Sequence, residues 1–309
     1  MDPVTSAPQW FTDALAARPS HGEVTVGGAQ VRYRVWERHA APRHAAPRDA
    51  GPQDAATPGI LLVHGGAAHS HWWDHIAPQL ADRHRVAALD LTGHGDSETR
   101  DHYALAQWAD ELVAVAEAAG LGARPVVVGH SMGGMVTYVA AHRHGDRLGG
   151  IQVIDSPIRL RTPAEEETRG SALRRPKKVY PDVDTALAHF RLIPAQTVTL
   201  PYVIDHVART SMGPVPGGWS WKFDPSMTGR DGSDLLGAGP PPCPMAYFRA
   251  QDGIIADDVF AEMRARFGPG ALVFELPHTG HHPMADQPLL LVAAVRSVLA
   301  AWAADGRLR

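Results

Sequence analysis

The run Gly129-His130-Ser131-Met132-Gly133 sets a serine between two glycines in the G-x-S-x-G spacing, and its flanks make that spacing meaningful. Before it, Pro125-Val126-Val127-Val128 is an apolar, β-branched stretch that reads as a buried strand. After it, Met132, Met135, Val136, Val139 and Ala140 recur at helical spacing and form one apolar stripe. A serine on so tight a strand-to-helix turn has its hydroxyl pushed out of the sheet, poised for nucleophilic attack. Gly129, Gly133 and Gly134 omit the Cβ atoms that would collide as strand and helix close together. Without those flanks the same five residues would read as an ordinary turn or helix cap.

A serine hydroxyl is a weak nucleophile until a base takes its proton, and the base needs an orienting acid. His281, in Gly280-His281-His282-Pro283, follows an apolar run and a glycine that frees the loop backbone, and it is the favoured base. His282 is the rival, and adjacent side chains point apart, so only one serves. The acid should lie at a strand end between Ser131 and His281 in the chain. Asp252, in Arg249-Ala250-Gln251-Asp252-Gly253, is the expected acid because the order Ser, Asp, His suits this elbow. Asp155 is the alternative, with capping of the Ser156-Pro157 turn as its structural reading.

Attack on a carbonyl puts negative charge on oxygen, which fixed N–H donors should meet. The backbone N–H of Met132 is one expected donor, at a helix N-terminus where the dipole helps. The other is expected from Gly66 in His64-Gly65-Gly66, with Ala67 less favoured.

The elements that must carry these groups alternate. Glu23–Val26 and Gln30–Trp36 read as strands joined by the Gly27-Gly28 turn. Strands follow at 60–63, 86–89, 125–128, 151–154, 245–248 and 271–276, with helices at 72–80, 101–119, 257–267 and 284–303. Such alternation predicts an α/β fold, a mostly parallel sheet covered by helices on both faces. Residues 38–58, rich in Ala, Pro, Arg and His, read as a flexible loop insertion. Residues 157–240 break the alternation and read as an inserted, mostly helical lid, with helical patterns near 184–192 and 201–210. The core is then 1–156 and 241–309, with the lid over the carboxyl ends of the strands.

Composition excludes several classes. The chain has 309 residues, 44% hydrophobic and 20% charged, with a net charge of -4. That balance offers no electrostatic footprint for nucleic acid. No stretch approaches the roughly 20 apolar residues of a membrane span. The first residues lack the basic-then-apolar order of a signal peptide, so a cytoplasmic location is the expectation. A single cysteine, Cys243, permits no intrachain disulfide and reads as a buried apolar residue. None of the 18 histidines has metal-ligand spacing along the chain; His69, His71, His142 and His144 read as surface positions, and neither metal nor cofactor is expected.

The ordered set His64-Gly65-Gly66, Trp72-Trp73, Asp90-Leu91-Thr92-Gly93-His94-Gly95-Asp96-Ser97, the elbow, Asp252 and Gly280-His281-His282-Pro283-Met284-Ala285-Asp286-Gln287-Pro288 resembles the α/β-hydrolase family over roughly residues 22–303. The resemblance implies the α/β-hydrolase fold with an inserted lid, a Ser131–Asp252–His281 triad and a structural role for the Asp90–Ser97 loop. Related epoxide hydrolases and haloalkane dehalogenases carry aspartate at the elbow, and Ser131 argues against both. The expected reaction is hydrolysis of a carboxylic ester or lactone through an acyl-enzyme. C–C bond cleavage, thioester cleavage, cofactor-free perhydrolysis and non-catalytic ligand binding on the same scaffold are the alternatives. The expected partner is a small-molecule ester or lactone, with no nucleic acid and no membrane, and a homodimer is left open.

The segment Gly217-Gly218-Trp219-Ser220-Trp221-Lys222-Phe223-Asp224-Pro225 resembles one that precedes the acid-bearing strand in the family. Trp219, Trp221 and Phe223 alternate with polar residues, and either pack the lid onto the core or line the pocket. Trp72 and Met132 are placed by position in the acyl pocket. The basic run Arg169, Arg174, Arg175, Lys177 and Lys178 reads as a solvated lid face or as an attractor for an acidic substrate.

Overall fold

The computed structural model describes residues 6–38, 57–160, 177–229, 231–235 and 239–308. Most of the 38–58 insertion therefore lies outside the described residues, as do Arg169, Arg174 and Arg175 of the basic run.

Eight strands form the spine: β1 (Ser20–Val26), β2 (Ala29–Trp36), β3 (Ile60–Val63), β4 (Val86–Leu89), β5 (Val126–His130), β6 (Gly150–Ile154), β9 (Met245–Asp252) and β10 (Leu272–Gly280). Their spatial order is β1-β2-β4-β3-β5-β6-β9-β10. The pairs β1–β2 and β2–β4 are antiparallel, and every pair from β4 to β10 is parallel. Gly27 and Gly28, at φ of 53° and 81°, make the tight turn between β1 and β2 that side chains would resist.

The central strands are apolar throughout because both faces are covered. Leu61, Val63, Leu89 and Val127 face one cluster, built with Trp108 and Leu112 of α3 (Leu105–Ala118) and Val136 of α4 (Met132–His144). The alternate residues Ile60, Leu62, Val86 and Val128 face the other, with Val295 and Trp302 of α9 (Pro288–Ala304). All four β3 residues are fully buried, each side chain worth about 1.5–3 kcal/mol of transfer free energy. The two-residue period of the strands thus builds two cores from one sheet.

Helix α1 (Gln9–Ala16) has no counterpart in the sequence reading; Phe11 anchors it against Tyr202 and His75, partners from distant segments. Helix α2 (Ala77–Leu80) is shorter than its predicted 72–80 span, since Ser70–Trp73 is a 3₁₀ turn. Helices α7 (Asp257–Phe267) and α8 (Pro283–Asp286) complete the layers.

Between β6 and β9 the described residues hold two helices, α5 (Val183–Ala188) and α6 (Pro201–Thr210), and an antiparallel hairpin of β7 (Met212–Val215) and β8 (Gly218–Trp221). The hairpin departs from the mostly helical expectation. Its physical reason is the turn at Gly217 and Gly218, whose φ values of 86° and 149° reverse the chain and let Trp219 and Trp221 stand on a strand.

Candidate active site

The elbow is built by strain that its neighbours hold in place. Ser131 sits at φ 53°, ψ -118°, a backbone conformation that costs a non-glycine residue roughly 1–3 kcal/mol. Its N–H donates to the Ile154 carbonyl (2.9 Å), and its carbonyl accepts the Ser156 hydroxyl (2.6 Å). A Cβ on Gly129 would overlap Thr137 and the Gly133 backbone, and one on Gly133 would overlap the His64 carbonyl. The glycines are therefore required by close backbone approach on both sides of the serine.

Those two bonds also tie the elbow to the end of β6, and Asp155 follows directly. His281 Nε2 lies 3.0 Å from Ser131 Oγ, and His281 Nδ1 lies 2.8 Å from Asp155 Oδ2. The network assigns the tautomer: Nδ1–H donates to the carboxylate, leaving Nε2 to accept the serine proton. His281 is 4% exposed and Asp155 is fully buried.

The expected acid, Asp252, is not at the imidazole. It is exposed, near the end of β9 and paired with Gly280 in β10. The β9 turn instead presents backbone donors to Asp155, from Ala250 N–H (3.2 Å) and Ile254 N–H (3.1 Å). A Cβ at Gly253 would overlap the Asp155 carboxylate, so the turn closes directly on it. β6 lies beside the elbow strand, whereas β9 is one strand further out, and that neighbourhood selects Asp155.

Several supporting groups escaped the sequence reading. His130 Nε2 donates to the His281 carbonyl (2.7 Å), locking the backbone of the histidine loop to the elbow. Burial, with His281 and His282 close by, holds the His130 pKa well below its ordinary value, so the ring is neutral. The Tyr247 hydroxyl bonds both the Ser156 carbonyl (2.8 Å) and the Ser156 N–H (3.1 Å), bracing the turn after Asp155. Gln196, from the insert, accepts the His282 N–H (2.8 Å) and donates to Asp286 (2.9 Å), which in turn accepts the Gly280 N–H (2.6 Å). His130 was legible as the neighbour of Ser131; Tyr247 and Gln196 carry no sequence signal, since only folding brings them there.

His282 lines the cavity, but the Ser131 hydroxyl bonds His281 and not His282; burial, then neighbouring His281, pushes the His282 pKa down to about 3. The Asp90–Ser97 loop is structural: Asp90 accepts the backbone N–H groups of Ser70 (2.6 Å) and Asp96 (2.9 Å), and its carbonyl accepts the Ser97 hydroxyl (2.6 Å). His64 Nδ1–H donates to the Gly65 carbonyl (2.7 Å) while Nε2 accepts the Leu91 N–H (3.1 Å), so the ring pins the Gly65–Gly66 turn to the end of β4. Met132 is the first residue of α4, and its N–H has no intrahelical acceptor.

Ser131, Gly66, Trp72, Trp221, His281 and His282 border a cavity of about 290 Å³. Phe190, Leu192, Ile193 and Phe223 make its apolar wall; Lys177, Lys178 and Arg191 also line it, and no carboxylate does among the described residues. Trp219 lies elsewhere. It pairs with Tyr180 and packs with Ala186 and Met212 in a small core inside the insert; Trp221, two residues on and on the same face of β8, touches that core and also borders the cavity. Met132 belongs to the sheet core beneath the elbow, 2% exposed, so its side chain does not line the acyl pocket as expected.

A sequence profile described as the alpha/beta hydrolase family matches residues 60–295, the span from β3 into α9. The chain belongs to the α/β hydrolase family. Its eight-stranded, mostly parallel sheet covered by helices is the α/β-hydrolase fold in the present sequence. Within the family, it is 28% identical over 257 residues to esterase Rv0045c of Mycobacterium tuberculosis, covering 79% of this chain and 83% of that one. It is 33% identical over 117 residues to a pimeloyl-[acyl-carrier protein] methyl ester esterase of Neisseria meningitidis, covering 38% of this chain and 43% of that one. The solved structure of E-2-(acetamidomethylene)succinate hydrolase superposes with a TM-score of 0.73 at 18% identity, covering 91% of this chain and 98% of that one, a likeness of fold. Among the described residues, no helix is long and apolar enough to cross a membrane.

Proposed function

We propose that this α/β hydrolase cleaves a carboxylic ester or lactone through an acyl-enzyme formed on Ser131. The observation that carries the reading is the unbroken relay from Ser131 Oγ to His281 Nε2 (3.0 Å) and from His281 Nδ1 to Asp155 Oδ2 (2.8 Å). The esterase names of its relatives support the same bond class.

In this mechanism His281 takes the serine proton as Oγ attacks the carbonyl carbon. Asp155 holds the imidazole in the accepting tautomer and stabilises the imidazolium. The oxyanion meets the N–H groups of Met132 and Gly66. His281 then protonates the departing oxygen, and water, deprotonated by the same ring, releases the acyl group. A cavity of about 290 Å³ favours a small acyl portion. Lys177, Lys178 and Arg191, unopposed by any described lining carboxylate, favour a substrate bearing negative charge.

Two measurements on one variant test the reading. Wild type should react with one equivalent of a fluorophosphonate probe and turn over a p-nitrophenyl ester, and folded Ser131→Ala should do neither. A wild type that resists the probe, or a variant that keeps full turnover, overturns the proposal.

A further inference from the structure

Away from the catalytic groups, three side chains from two segments converge. His71 and Asp74 sit three residues apart at the 3₁₀ turn Ser70–Trp73, where that spacing stacks side chains on one side. His206 comes from α6, 132 residues beyond Asp74. His71 Nδ1 and His206 Nε2 each lie 2.9 Å from the same oxygen, Asp74 Oδ2. The other carboxylate oxygen is engaged by Arg34 of β2. Along the chain His71 reads as a surface histidine without ligand spacing; folding supplies the spacing.

We infer that His71, Asp74 and His206 form a binding site for a borderline divalent transition metal, with Zn²⁺ as the natural fit. Two imidazoles and a carboxylate are a standard three-ligand set for zinc, with water in the fourth position. The three ligand atoms already lie within 4.8 Å of one another. A tetrahedral ion with bonds of about 2.0–2.2 Å needs its ligands roughly 3.3 Å apart, so each imidazole must retreat from the carboxylate by a few tenths of an ångström while the two ring nitrogens, at most 4.8 Å apart, draw to the same spacing. The protons now shared with Asp74 move to the far ring nitrogens or are released, as metal binding requires. Arg34 holds Asp74 from behind, fixing the carboxylate with Oδ2 turned to the histidines. The side chains of His71 and His206 are 23% and 19% exposed, which leaves an entry path.

The other group of histidines, His130, His281 and His282, fits less well. His130 Nε2 is committed to the His281 carbonyl and both His281 nitrogens to Ser131 and Asp155, so an ion there would dismantle the relay. At the proposed site an ion would join α6 to the core. Trp72, next to His71, and Ser211, just beyond α6, both line the cavity, so occupancy should also be felt in turnover.

The test is a titration of the tag-free, chelator-stripped full chain with Zn²⁺ against a chromogenic chelator, and with Co²⁺ followed by its visible d–d bands. One tight equivalent is expected in wild type and in His281→Ala, with a rise in melting temperature on loading. His206→Ala and His71→Ala should weaken binding by more than about 100-fold, beyond the 10–100-fold typical of changes behind the ligands. His206→Gln guards against a general loss of fold, and circular dichroism of each variant checks it. Wild type that binds no metal overturns the inference. So does binding that survives His206→Ala and His206→Gln, or that disappears in His281→Ala. Because metal occupancy is read directly, failure here leaves the hydrolase reading intact, and failure of the hydrolase reading leaves this one intact.

Discussion

Asp155 and His281 are 126 residues apart in the chain and 2.8 Å apart in the fold. The contact exists because β6 lies against the elbow strand β5, and because Asp155 takes a positive φ of 38° that turns its carboxylate under the imidazole. Asp155→Asn should retain the fold yet lower kcat by about 10⁴-fold, since an amide no longer enforces the accepting tautomer. Asp252→Asn, altering an exposed side chain, should change kcat by less than about twofold. Ester hydrolysis by the two variants decides between the acids, and a large loss in Asp252→Asn alone would reverse the assignment.

The elbow leaves no room for a methyl group at Gly133. In Gly133→Ala the new Cβ must displace the carbonyls of Val63 and His64, in the strand that leads into the Gly65–Gly66 turn. Overpacking of this kind costs about 1–3 kcal/mol, and a shift of even 1 Å in the reacting groups costs about 10² in rate. Gly270→Ala, whose Cβ would meet nothing within 4 Å, should be neutral within about 0.5 kcal/mol. Thermal denaturation with kcat separates the pair, and equal behaviour of the two would remove the steric account.

A cationic mouth should show itself in substrate choice. Replacing Lys177, Lys178 and Arg191 by alanine should raise KM for an ester ending in a carboxylate while sparing its uncharged analogue of equal length. Each exposed charge is worth up to about 1 kcal/mol, or about fivefold, and the preference should shrink as salt is added. Equal KM changes for both substrates would mean the three cations do not select charge.

Buried neutral histidines make acid stability a sharp test. Burial sends His75 down to about 4 and His282 down to about 3, against about 6.5 in the unfolded chain. Above pH 6.5 both states are neutral and these rings contribute no pH dependence. As pH falls below 6.5 the unfolded state takes up protons that the folded state refuses, so stability falls. At pH 5 each ring should cost about 2 kcal/mol. Urea unfolding at pH 7 and pH 5 should show the midpoint dropping, and a His75→Phe variant should lose part of that dependence. A midpoint unchanged between the two pH values would contradict the burial of these groups as neutral rings.

Where neighbours in sequence are also neighbours in space, the chain announced its structure. Ile60–Val63 and Val86–Leu89 were readable as buried strands because continuous apolar runs bounded by turns have few other uses, and helix 257–267 because its period is its own. Ser131 stood out because its glycines, strand and helix lie within a dozen residues of it. The hairpin at 212–221 and helix α1 were missed because their stability comes from distant partners, Tyr180 for Trp219 and Tyr202 for Phe11. Periodicity cannot report such contacts.

Asp155 and Asp252, the two candidate acids, show the boundary most clearly. Both follow apolar strands and both precede His281, so local pattern treats them alike. The order of strands in the sheet put one beside the elbow and left the other at the exposed end of β9, one strand further out. The same holds for His71, Asp74 and His206, whose shared oxygen is invisible along the chain. Secondary structure and the serine elbow are encoded over short separations, where sterics and hydrophobic period act. Which side chains meet across the sheet depends on packing of the whole, and only the folded molecule carries it.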